Sequence, residues 1–486
     1  MTTSTFYIMA AEKESMGIKV KKADDMPSWY GEVCIKAELA DYAPTKGCMI
    51  IRPRGYAIWQ NIQDIFNKRL KELNVENAYF PLFIPESFFK KEKEHAEGFN
   101  PEVAWVEQRD PKEERIAVRP TSETIMYDSY SRWIRSYRDL PLRINQWCNI
   151  VRWETEATKL FLRSREFLWQ EGHCVYETEE ECDKEARDML EEYRKLVEDN
   201  LALPLLLGRK TEKEKFAGAK TTYTIEAFMP DGKALQCGTS HNLGQTFSNA
   251  FNISFTDKNE KKQKPWQNSW GVSTRLIGGM VMTHSDDKGL IIPPKIASVK
   301  AVIVPIFFEK TKAKVLSEAK KIQKMIDDSI LDDREEYSAG WRFSDWELKG
   351  VPVRIELGPK DLEKDQVIVA RRDNGEKIPV KISKLKEELP KILDDIQNNL
   401  FNKAKKFLKS SIIEVKTVQE MKKAADDGKL SLAPFCGGTG CEEWINEKTA
   451  GVTPRVIPFN DKLKKGSKCI HCEKEAEYNV YFSRAY

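Results

Sequence analysis

No apolar run in the chain is long enough to cross a membrane, and its opening, MTTSTFYIMAAEKES, lacks the pattern of a secretory signal. Internal repeats and low-complexity segments are also missing, and the net charge is only +3 over 486 residues. We therefore expect a cytoplasmic protein with no membrane partner. Any contact that it makes with nucleic acid must depend on local basic patches, because the chain as a whole is not strongly basic.

Cysteine is too sparse for a disulfide framework, since ten residues are spread over a long chain and six of them stand alone. The other four form two close pairs, Cys436 with Cys441 and Cys469 with Cys472, separated by 27 residues. Two such pairs on glycine-bearing turns favour a structural zinc site with four thiolate ligands. Two alternatives remain open: His471 replaces one cysteine, or the four are simply buried thiols.

The length predicts two to four domains, and the pattern of the sequence changes near Pro293 and Pro294. Before this point, helical stripes are mixed with long alternating strands. After it, the order reads strand, helix, three strands, helix, followed by the segment with the clustered cysteines. We predict an α+β domain over 1–292, an α/β domain over 296–400 and a small α+β domain over 405–486.

The stretch VRWETEATKLFLRSREFLWQEGH, residues 151–173, has balanced charge and many aromatic residues. Read as a hairpin, it places Arg152, Glu154 and Glu156 on one face of the first strand, because side chains alternate between the faces of a strand. The returning strand then presents one face with cations, aromatic rings, a carboxylate and an imidazole, from Arg163, Arg165, Phe167, Trp169, Glu171 and His173. The alternative is an exposed hairpin with cross-strand ion pairs of about 0.2–1 kcal/mol each.

The segment RPTSET, residues 119–124, precedes a helical pattern, which makes Thr121 a plausible N-cap. Glu123 at this position either benefits from the helix dipole or faces the ammonium group of a small ligand. Both interpretations stay open on the sequence alone.

The segment QCGTSH, residues 236–241, places Cys237 four residues before His241. A cysteine nucleophile with a histidine base is one interpretation. A tight glycine turn that lines a pocket with Gln236, Thr239 and His241 is the interpretation we favour.

Arg275 is the only charged residue of GVSTRLIGGMVM, residues 271–282. A buried arginine needs an anionic partner, and a phosphate group would serve. Since the chain has no P-loop motif, any nucleotide would be held by arginines and not by a glycine-rich loop.

Taken together and in order, these motifs resemble those of the class II aminoacyl-tRNA synthetases, and closely those of the prolyl-tRNA synthetase family of archaeal and eukaryotic type. The helix at 55–73 with NAYFP is similar to motif 1, VRWE with RSREF to motif 2, and GVSTR to a degenerate motif 3. In GVSTR, Ser273 and Thr274 stand where the family has a more glycine-rich lead and an acidic residue. RPTSE resembles the loop that reads the amino acid in this family.

The resemblance implies roles for individual residues. Arg152 would bridge the proline carboxylate and the ATP α-phosphate, and Arg275 would join it in catalysis. The implied proline-binding residues are Thr121, Glu123, Arg152, Trp169, Glu171, His173, Ser240 and His241. The implied ATP-binding residues are Arg152, Glu154, Arg163, Phe167, Gln236, Thr239 and Arg275.

The resemblance also implies the fold and the partners: a class II antiparallel-sheet core, an anticodon-binding domain and a C-terminal zinc-binding domain. The substrates would be ATP with Mg²⁺, L-proline and tRNA(Pro), and motif 1 would form a homodimer. In the anticodon-binding domain, Arg354, Lys360, Arg371 and Arg372 are candidate tRNA contacts. Only 68 residues, 168–235, separate Phe167 from Gln236, which leaves no room for the editing domain of bacterial-type prolyl enzymes.

Two alternatives share much of this sequence pattern. A threonyl- or seryl-type synthetase has the same core, and the threonyl type would need a catalytic zinc on Cys237, His241 and His173. A catalytically silent paralogue is the second alternative, although such chains usually lose motif arginines, and Arg152, Arg163 and Arg275 are all present.

Overall fold

The computed structural model describes residues 17–95, 102–110, 112–154 and 158–486. The chain divides into two compact units. One comprises Met1–Leu39, Ser285–Ile291 and Val299–Leu389, and the other comprises Ala40–His284, Ile292–Ser298 and Pro390–Tyr486. The first sixteen residues of the predicted first domain lie outside the described part of the chain. None of the described helices is both long and apolar enough to pass through a bilayer.

The α-helices are α1 Met26–Lys36, α2 Pro53–Glu72, α3 Glu86–His95, α4 Glu123–Trp133, α5 Glu179–Lys195, α6 Thr246–Ala250, α7 Arg275–His284, α8 Lys312–Met325, α9 Ala339–Leu348, α10 Pro359–Glu363, α11 Leu385–Ser411, α12 Val418–Asp426 and α13 Thr439–Lys448. Short 3₁₀ turns cover Tyr137–Asp139 and Ile382–Lys384, and a π-helical turn, Leu196–Asn200, extends α5.

The strands of the first half are β1 Ala40–Tyr42, β2 Met49–Ile51, β3 Glu76–Asn77, β4 Phe83–Pro85, β5 Ile116–Val118, β6 Leu142–Val151, β7 Glu166–Tyr176, β8 Leu206–Arg209, β9 Thr221–Phe228, β10 Lys233–Gly244, β11 Phe255–Thr256, β12 Lys262–Gln263 and β13 Trp266–Ser273. Those of the second half are β14 Ala301–Pro305, β15 Ser329–Leu331, β16 Val353–Leu357, β17 Gln366–Arg371, β18 Lys377–Lys381, β19 Ile412–Glu414, β20 Leu430–Phe435, β21 Thr453–Pro458 and β22 Tyr478–Ala485.

The larger unit is built on an 11-stranded sheet in the order β19-β20-β22-β21-β8-β9-β10-β13-β7-β6-β3. From β8 to β6 every neighbouring pair is antiparallel, which confirms the predicted antiparallel core. The strands that follow residue 411 continue this same sheet, because β21 pairs with β8 through Ile457 opposite Arg209.

Helix α2 shows how the sequence pattern forms the core. Its apolar residues recur at helical spacing, so that one face is buried. That face consists of Ile58, Trp59, Ile62, Phe66 and Leu70. The Trp59 ring meets the ring of Trp147 on β6 edge to face, with centroids 5.6 Å apart.

The smaller unit contains a five-stranded mixed sheet in the order β15-β14-β16-β17-β18. Strands β14, β15 and β16 run parallel, and β17 and β18 run antiparallel, so the predicted α/β class is confirmed. The sequence analysis missed β15 and α9 between the first helix and the next strand. Strand β15 has only three residues, and α9 begins inside the polar stretch DDREEYSAG, which offers little apolar periodicity.

Gly172 of β7 is required for the close packing between β7 and its neighbouring strand β13. It stands opposite Trp270 in the ladder, and the indole lies across it, so that an added Cβ would be 2.2 Å from the ring. The same ring packs against Tyr193 of α5, with centroids 6.3 Å apart. A side chain at this position would therefore push Trp270 away from α5.

We expect Gly172→Ala to lower the free energy of unfolding by about 1–3 kcal/mol, because a methyl group in a filled core forces its neighbours to shift. Thermal unfolding followed by circular dichroism measures the loss. Gly340→Ala in α9 is the control, since nothing lies within 4 Å of a Cβ added there. Equal unfolding temperatures for the two variants would contradict this account of Gly172.

Candidate active site

A cavity of about 290 Å³ lies against the antiparallel sheet of the larger unit. Its wall combines strands β7, β10 and β13 with the starts of α4 and α7. The lining residues are Thr121, Glu123, Arg152, Phe167, Trp169, Glu171, His173, Glu214, Phe216, Thr222, Gln236, Cys237, Gly238, Thr239, His241, Ser269, Trp270, Gly271, Val272, Ser273 and Arg275.

Strand β7 supplies one row of the wall. Phe167, Trp169, Glu171 and His173 all line the cavity, as alternation along a strand predicts. The prediction that Arg163 and Arg165 belong to this strand is wrong, because β7 begins only at Glu166. Both arginines lie in the loop before the strand. Arg163 reaches a neighbouring cavity, whereas Arg165 bonds the backbone oxygens of Glu154 and Lys46.

The Glu171 carboxylate is buried and is held from three directions. It accepts hydrogen bonds from Ser122 at the start of α4, from Gln146 of β6 at 2.9 Å, and from His173 at 3.0 Å. Burial alone would raise the pKa of Glu171, but these bonds outweigh it and the pKa lies below its usual value. Burial would likewise lower the pKa of His173, but Glu171 and Glu123 raise it. The two groups are thus hydrogen-bonded inside the protein, and each favours the charged form of the other.

The start of α4 differs by one residue from the sequence prediction. Ser122, not Thr121, occupies the N-cap position. The Thr121 hydroxyl donates instead to the carboxylate of Glu123, and both side chains line the cavity. Two carboxylates, Glu123 and Glu171, thus face the same space.

A β-bulge shapes the wall formed by β10. The register against β9 shifts between Gln236 and Gly238, and such a shift changes which side chains face one way. Gln236, Thr239 and His241 therefore all line the cavity, although strict alternation would separate Gln236 from Thr239. Ser240 does not line it. Its side chain lies on the opposite face of the strand and is fully buried, so the prediction that it contacts proline fails on geometry.

Two arginines meet in the cavity. The Arg152 guanidinium donates to the backbone oxygen of Pro120 at 3.2 Å and lies 5.6 Å from the centre of the Phe167 ring. The Arg275 guanidinium donates to the backbone oxygens of Leu162 and Gln236. Burial, and after it the charge of Arg152, lower the pKa of Arg275. Among the described residues no carboxylate is hydrogen-bonded to either guanidinium group, and two neighbouring cations of this kind form a site for an anion.

A second cavity of about 130 Å³ shares Arg152, Phe167, Ser273 and Arg275 with the first. It also contains Glu154 and Arg163. Two nitrogens of the Arg163 guanidinium donate to one carboxylate oxygen of Glu154, at 3.0 and 2.8 Å. The resemblance implied that both residues bind ATP. In this structure their charges neutralise each other.

Several lining residues were missed by the sequence analysis. Glu214 and Phe216 belong to the loop between β8 and β9, and Ser269 faces the cavity from β13. The Ser269 hydroxyl is buried and has no hydrogen-bond partner among the described residues, which suits a polar ligand. Tyr486, next to the end of β22, lines the second cavity. Nothing in its local sequence signals that position, because the pairing of β22 with β10 brings it there.

Cys237 and His241 do not form a catalytic pair. Burial raises the pKa of Cys237 to about 12, and its thiol donates to the backbone oxygen of Leu235. His241 bonds Thr222 at 2.9 Å through Nδ1. Among the described residues, Cys237, His241 and His173 also do not converge as a metal site, so the alternative of a catalytic zinc in the core is wrong.

The four C-terminal cysteines do converge. Cys436, Cys441, Cys469 and Cys472 bring their sulfur atoms within 4.8 Å of one another. The sulfur of Cys436 lies 3.6 Å from those of Cys441 and Cys472, close to the edge of a tetrahedron with Zn–S bonds of about 2.3 Å. His471 is not part of this group, because its ring stacks on Trp444 with centroids 4.0 Å apart.

The candidate tRNA contacts of the smaller unit are mostly occupied. Arg371 is buried and paired with Asp373 at 2.9 Å, and Arg372 is buried with two bonds to Asp286. Both arginines also line a cavity of about 210 Å³ together with Arg354, so their contacts with tRNA stay predictions. Arg354 pairs with Glu356 at 2.9 Å, and Lys360 is exposed at α10.

Comparison with known proteins gives matches along most of the chain. The family model for the tRNA synthetase class II core domain of the G, H, P, S and T enzymes matches residues 105–284. The anticodon binding domain matches 300–392, and the C-terminal domain of prolyl-tRNA synthetase matches 418–486.

Individual relatives match over their full length. A proline–tRNA ligase of Alkaliphilus oremlandii is 51% identical over 468 residues, which cover 95% of this chain and 96% of the relative. A proline–tRNA ligase 2 of Bacillus thuringiensis is 49% identical, covering 98% and 100%. The crystal structure of prolyl-tRNA synthetase from Cryptosporidium parvum, complexed with halofuginone and AMPPNP, has a TM-score of 0.92 at 43% identity and covers 98% of this chain and 99% of that chain.

The antiparallel sheet, its paired arginines and the matched core model define a class II aminoacyl-tRNA synthetase. With about half of its residues identical to full-length relatives, the chain belongs to the prolyl-tRNA synthetase family. The resemblance found in the sequence is thereby confirmed, and the threonyl- or seryl-type alternative is excluded.

His241 provides a prediction about pH. Burial, with a smaller effect from the charge of His173, lowers its pKa to about 3 from the usual value near 6.5. The unfolded chain therefore binds a proton that the folded chain rejects, and the stability due to neutral His241 is complete above about pH 6.5 and is lost as pH falls toward 3. We expect the stability difference between wild type and His241→Asn to shrink from pH 7 to pH 4. Urea unfolding at several pH values tests this, and a constant difference would contradict it.

Proposed function

We propose that the chain activates L-proline with ATP and transfers it to tRNA(Pro). A proline carboxylate oxygen attacks the α-phosphorus, the bond to the pyrophosphate oxygen breaks, and prolyl-adenylate forms. A terminal ribose hydroxyl of the tRNA then attacks the prolyl carbonyl and AMP leaves. The observation that carries the proposal is one cavity in which two arginines face carboxylates. The chain that forms it is about 50% identical to proline–tRNA ligases.

The charges of the cavity suit the two substrates. Arg152 and Arg275 would oppose the proline carboxylate and the α-phosphate, where negative charge is concentrated during the attack. Glu123 and Glu171, with the second held by His173, would face the proline ammonium. No protein nucleophile is needed, because the bound substrates supply both attacking oxygens.

The remaining predicted contacts extend from this centre. For proline they are Thr121, Trp169 and His241, and for ATP they are Glu154, Arg163, Phe167, Gln236 and Thr239. All of these line one of the two joined cavities. Phe167 offers a ring for adenine, and Arg163 would exchange Glu154 for the outer phosphates.

Mg²⁺ would accompany ATP. Glu154 is the one carboxylate among the described residues that line the second cavity. Mg²⁺ usually keeps several waters and is bound by substrate phosphates together with one or two carboxylates. The ATP phosphates and waters would therefore supply most of its ligands. The ion would neutralise charge on the outer phosphates, and the arginines would act at the α-phosphate.

Further proposals concern the whole molecule. We propose the division into 1–292, 296–400 and 405–486, a homodimer through motif 1, and action in the cytoplasm. The ten free cysteines fit a reducing compartment. For tRNA we propose contacts with Lys360, exposed on α10, and with Arg354, Arg371 and Arg372, which line one cavity of the smaller unit.

No editing domain interrupts the core. Residues 168–235 contain the rest of β7, helix α5 with its π turn, β8, the following loop, β9 and the start of β10. These elements belong to the sheet and to the helix packed on it. Hydrolysis of mischarged tRNA would therefore require another protein.

ATP–pyrophosphate exchange with each of the twenty amino acids tests the proposed function. We expect exchange with proline, and Arg152→Ala should lower its rate by about 10²–10³, because a positioned donor is lost from an enclosed site. Arg132→Ala is the control, since this arginine pairs with Asp128 on the surface of α4. A near-normal rate in Arg152→Ala would contradict the assigned role, and a wild type without proline-dependent exchange would be a silent paralogue.

Metal analysis tests the cysteine cluster. We expect one zinc per chain, lost from Cys469→Ser/Cys472→Ser together with stability of the C-terminal segment, because metal binding contributes to folding there. Cys48→Ser is the control, since Cys48 lies outside the group. Zinc retained by the double variant would place the ion elsewhere.

A further inference from the structure

The loop between β8 and β9, residues 210–220, forms part of the cavity wall through Glu214 and Phe216. The Phe216 ring lies against His241 with centroids 4.7 Å apart, and its backbone N–H donates to Thr222 at 2.9 Å. One side of the loop is thus anchored to the strands of the core. The Glu214 side of the loop is held by residues of the C-terminal domain.

A buried charge cluster joins that domain to the loop. The Glu226 carboxylate of β9 is fully buried and accepts from Lys210 and, through two bonds of 3.0 and 3.1 Å, from Arg455 of β21. Two cations around one carboxylate leave one positive charge in excess. Glu214, whose carboxylate lies 3.6 Å from Arg455, supplies the missing negative charge.

Arg455 itself does not line the cavity. It is 8% exposed, and its position is fixed by the fork to Glu226 and by a bond to Thr453 at 3.0 Å. A guanidinium held in this way attracts the Glu214 carboxylate to one place in the wall. A second ion pair joins the loop to the same domain, between Lys213 and Glu443 of α13 at 2.9 Å, but it is exposed on the surface.

We propose that Arg455 is a positioning residue for amino-acid binding, which acts through Glu214 and sets the loop of residues 210–220 as a wall of the proline site. The inference rests on the proposed function, since it takes proline as the ligand of this cavity. Without Arg455, Glu214 loses its partner and the wall loses its fixed position. Proline binding then weakens, whereas the arginine-lined ATP side is unaffected.

Arg455→Met tests the proposal most cleanly. The substitution leaves Lys210 and Glu226 as a balanced pair, so that no uncompensated charge remains buried. We expect the KM for proline in ATP–pyrophosphate exchange to rise about tenfold, with the KM for ATP and the zinc content unchanged, which corresponds to the loss of one charge-assisted contact. Lys213→Met is the matched control, because it removes a cation from the exposed ion pair of the same loop.

A double-mutant cycle identifies the path of the effect. If Arg455 acts through Glu214, Arg455→Met combined with Glu214→Gln raises the KM for proline no further than the larger single effect. Additive effects would overturn the proposal. It is also overturned if Arg455→Met leaves the KM for proline unchanged, or if it raises both KM values equally, which would indicate a general distortion of the site.

A readout that needs no activity separates this proposal from the proposed function. Trypsin needs an extended segment as substrate, so cleavage after Lys215 requires the loop to leave its position. We expect faster cleavage after Lys215 in Arg455→Met than in wild type or in Lys213→Met, which keeps this site. A wild type without proline-dependent exchange refutes the function, and the cleavage rates then decide the loop. Unchanged cleavage in Arg455→Met refutes the positioning role.

Discussion

Repulsion between Arg152 and Arg275 is the constraint on which the site depends. Both arginines are partly buried, and burial lowers the pKa of each guanidinium group. The charge of Arg152 lowers the pKa of Arg275 further. Their hydrogen bonds go to backbone oxygens, which orient them without neutralising them. An anionic substrate that enters between Arg152 and Arg275 reduces their repulsion. Substrate binding therefore also removes an unfavourable electrostatic interaction from the site.

Much of the fold and part of the site could be predicted from the sequence because they depend on local periodicity. The face of β7 from Phe167 to His173 follows from alternation, and the four cysteines follow from ligand spacing. The face of β10 does not, because a bulge at Cys237 changes the phase of the strand. Alternation applied strictly would have separated Gln236 from Thr239. Ser240 was assigned from the resemblance alone, and alternation after the bulge turns it away from the face of Thr239 and His241.

Contacts distant in sequence set the limit of such predictions. Arg371 and Arg372 look like exposed basic residues in sequence, but Asp373 and Asp286 neutralise them in the folded unit. Glu214 looks like one acid among several in a charged loop, and only the position of Arg455, 241 residues later, distinguishes it. The sequence does not show which group pairs with a charged residue, and that group determines the role of the residue in the folded protein.

The pairing of β21 with β8 has a consequence for any shortened form of this chain. With β21 in place, β8 has neighbours on both sides. Without the C-terminal strands, β8 would become an exposed edge strand, with unpaired N–H and C=O groups facing solvent. Exposed edge strands pair with other chains and promote aggregation. The C-terminal domain therefore also protects the catalytic sheet from self-association, a role independent of any metal it holds.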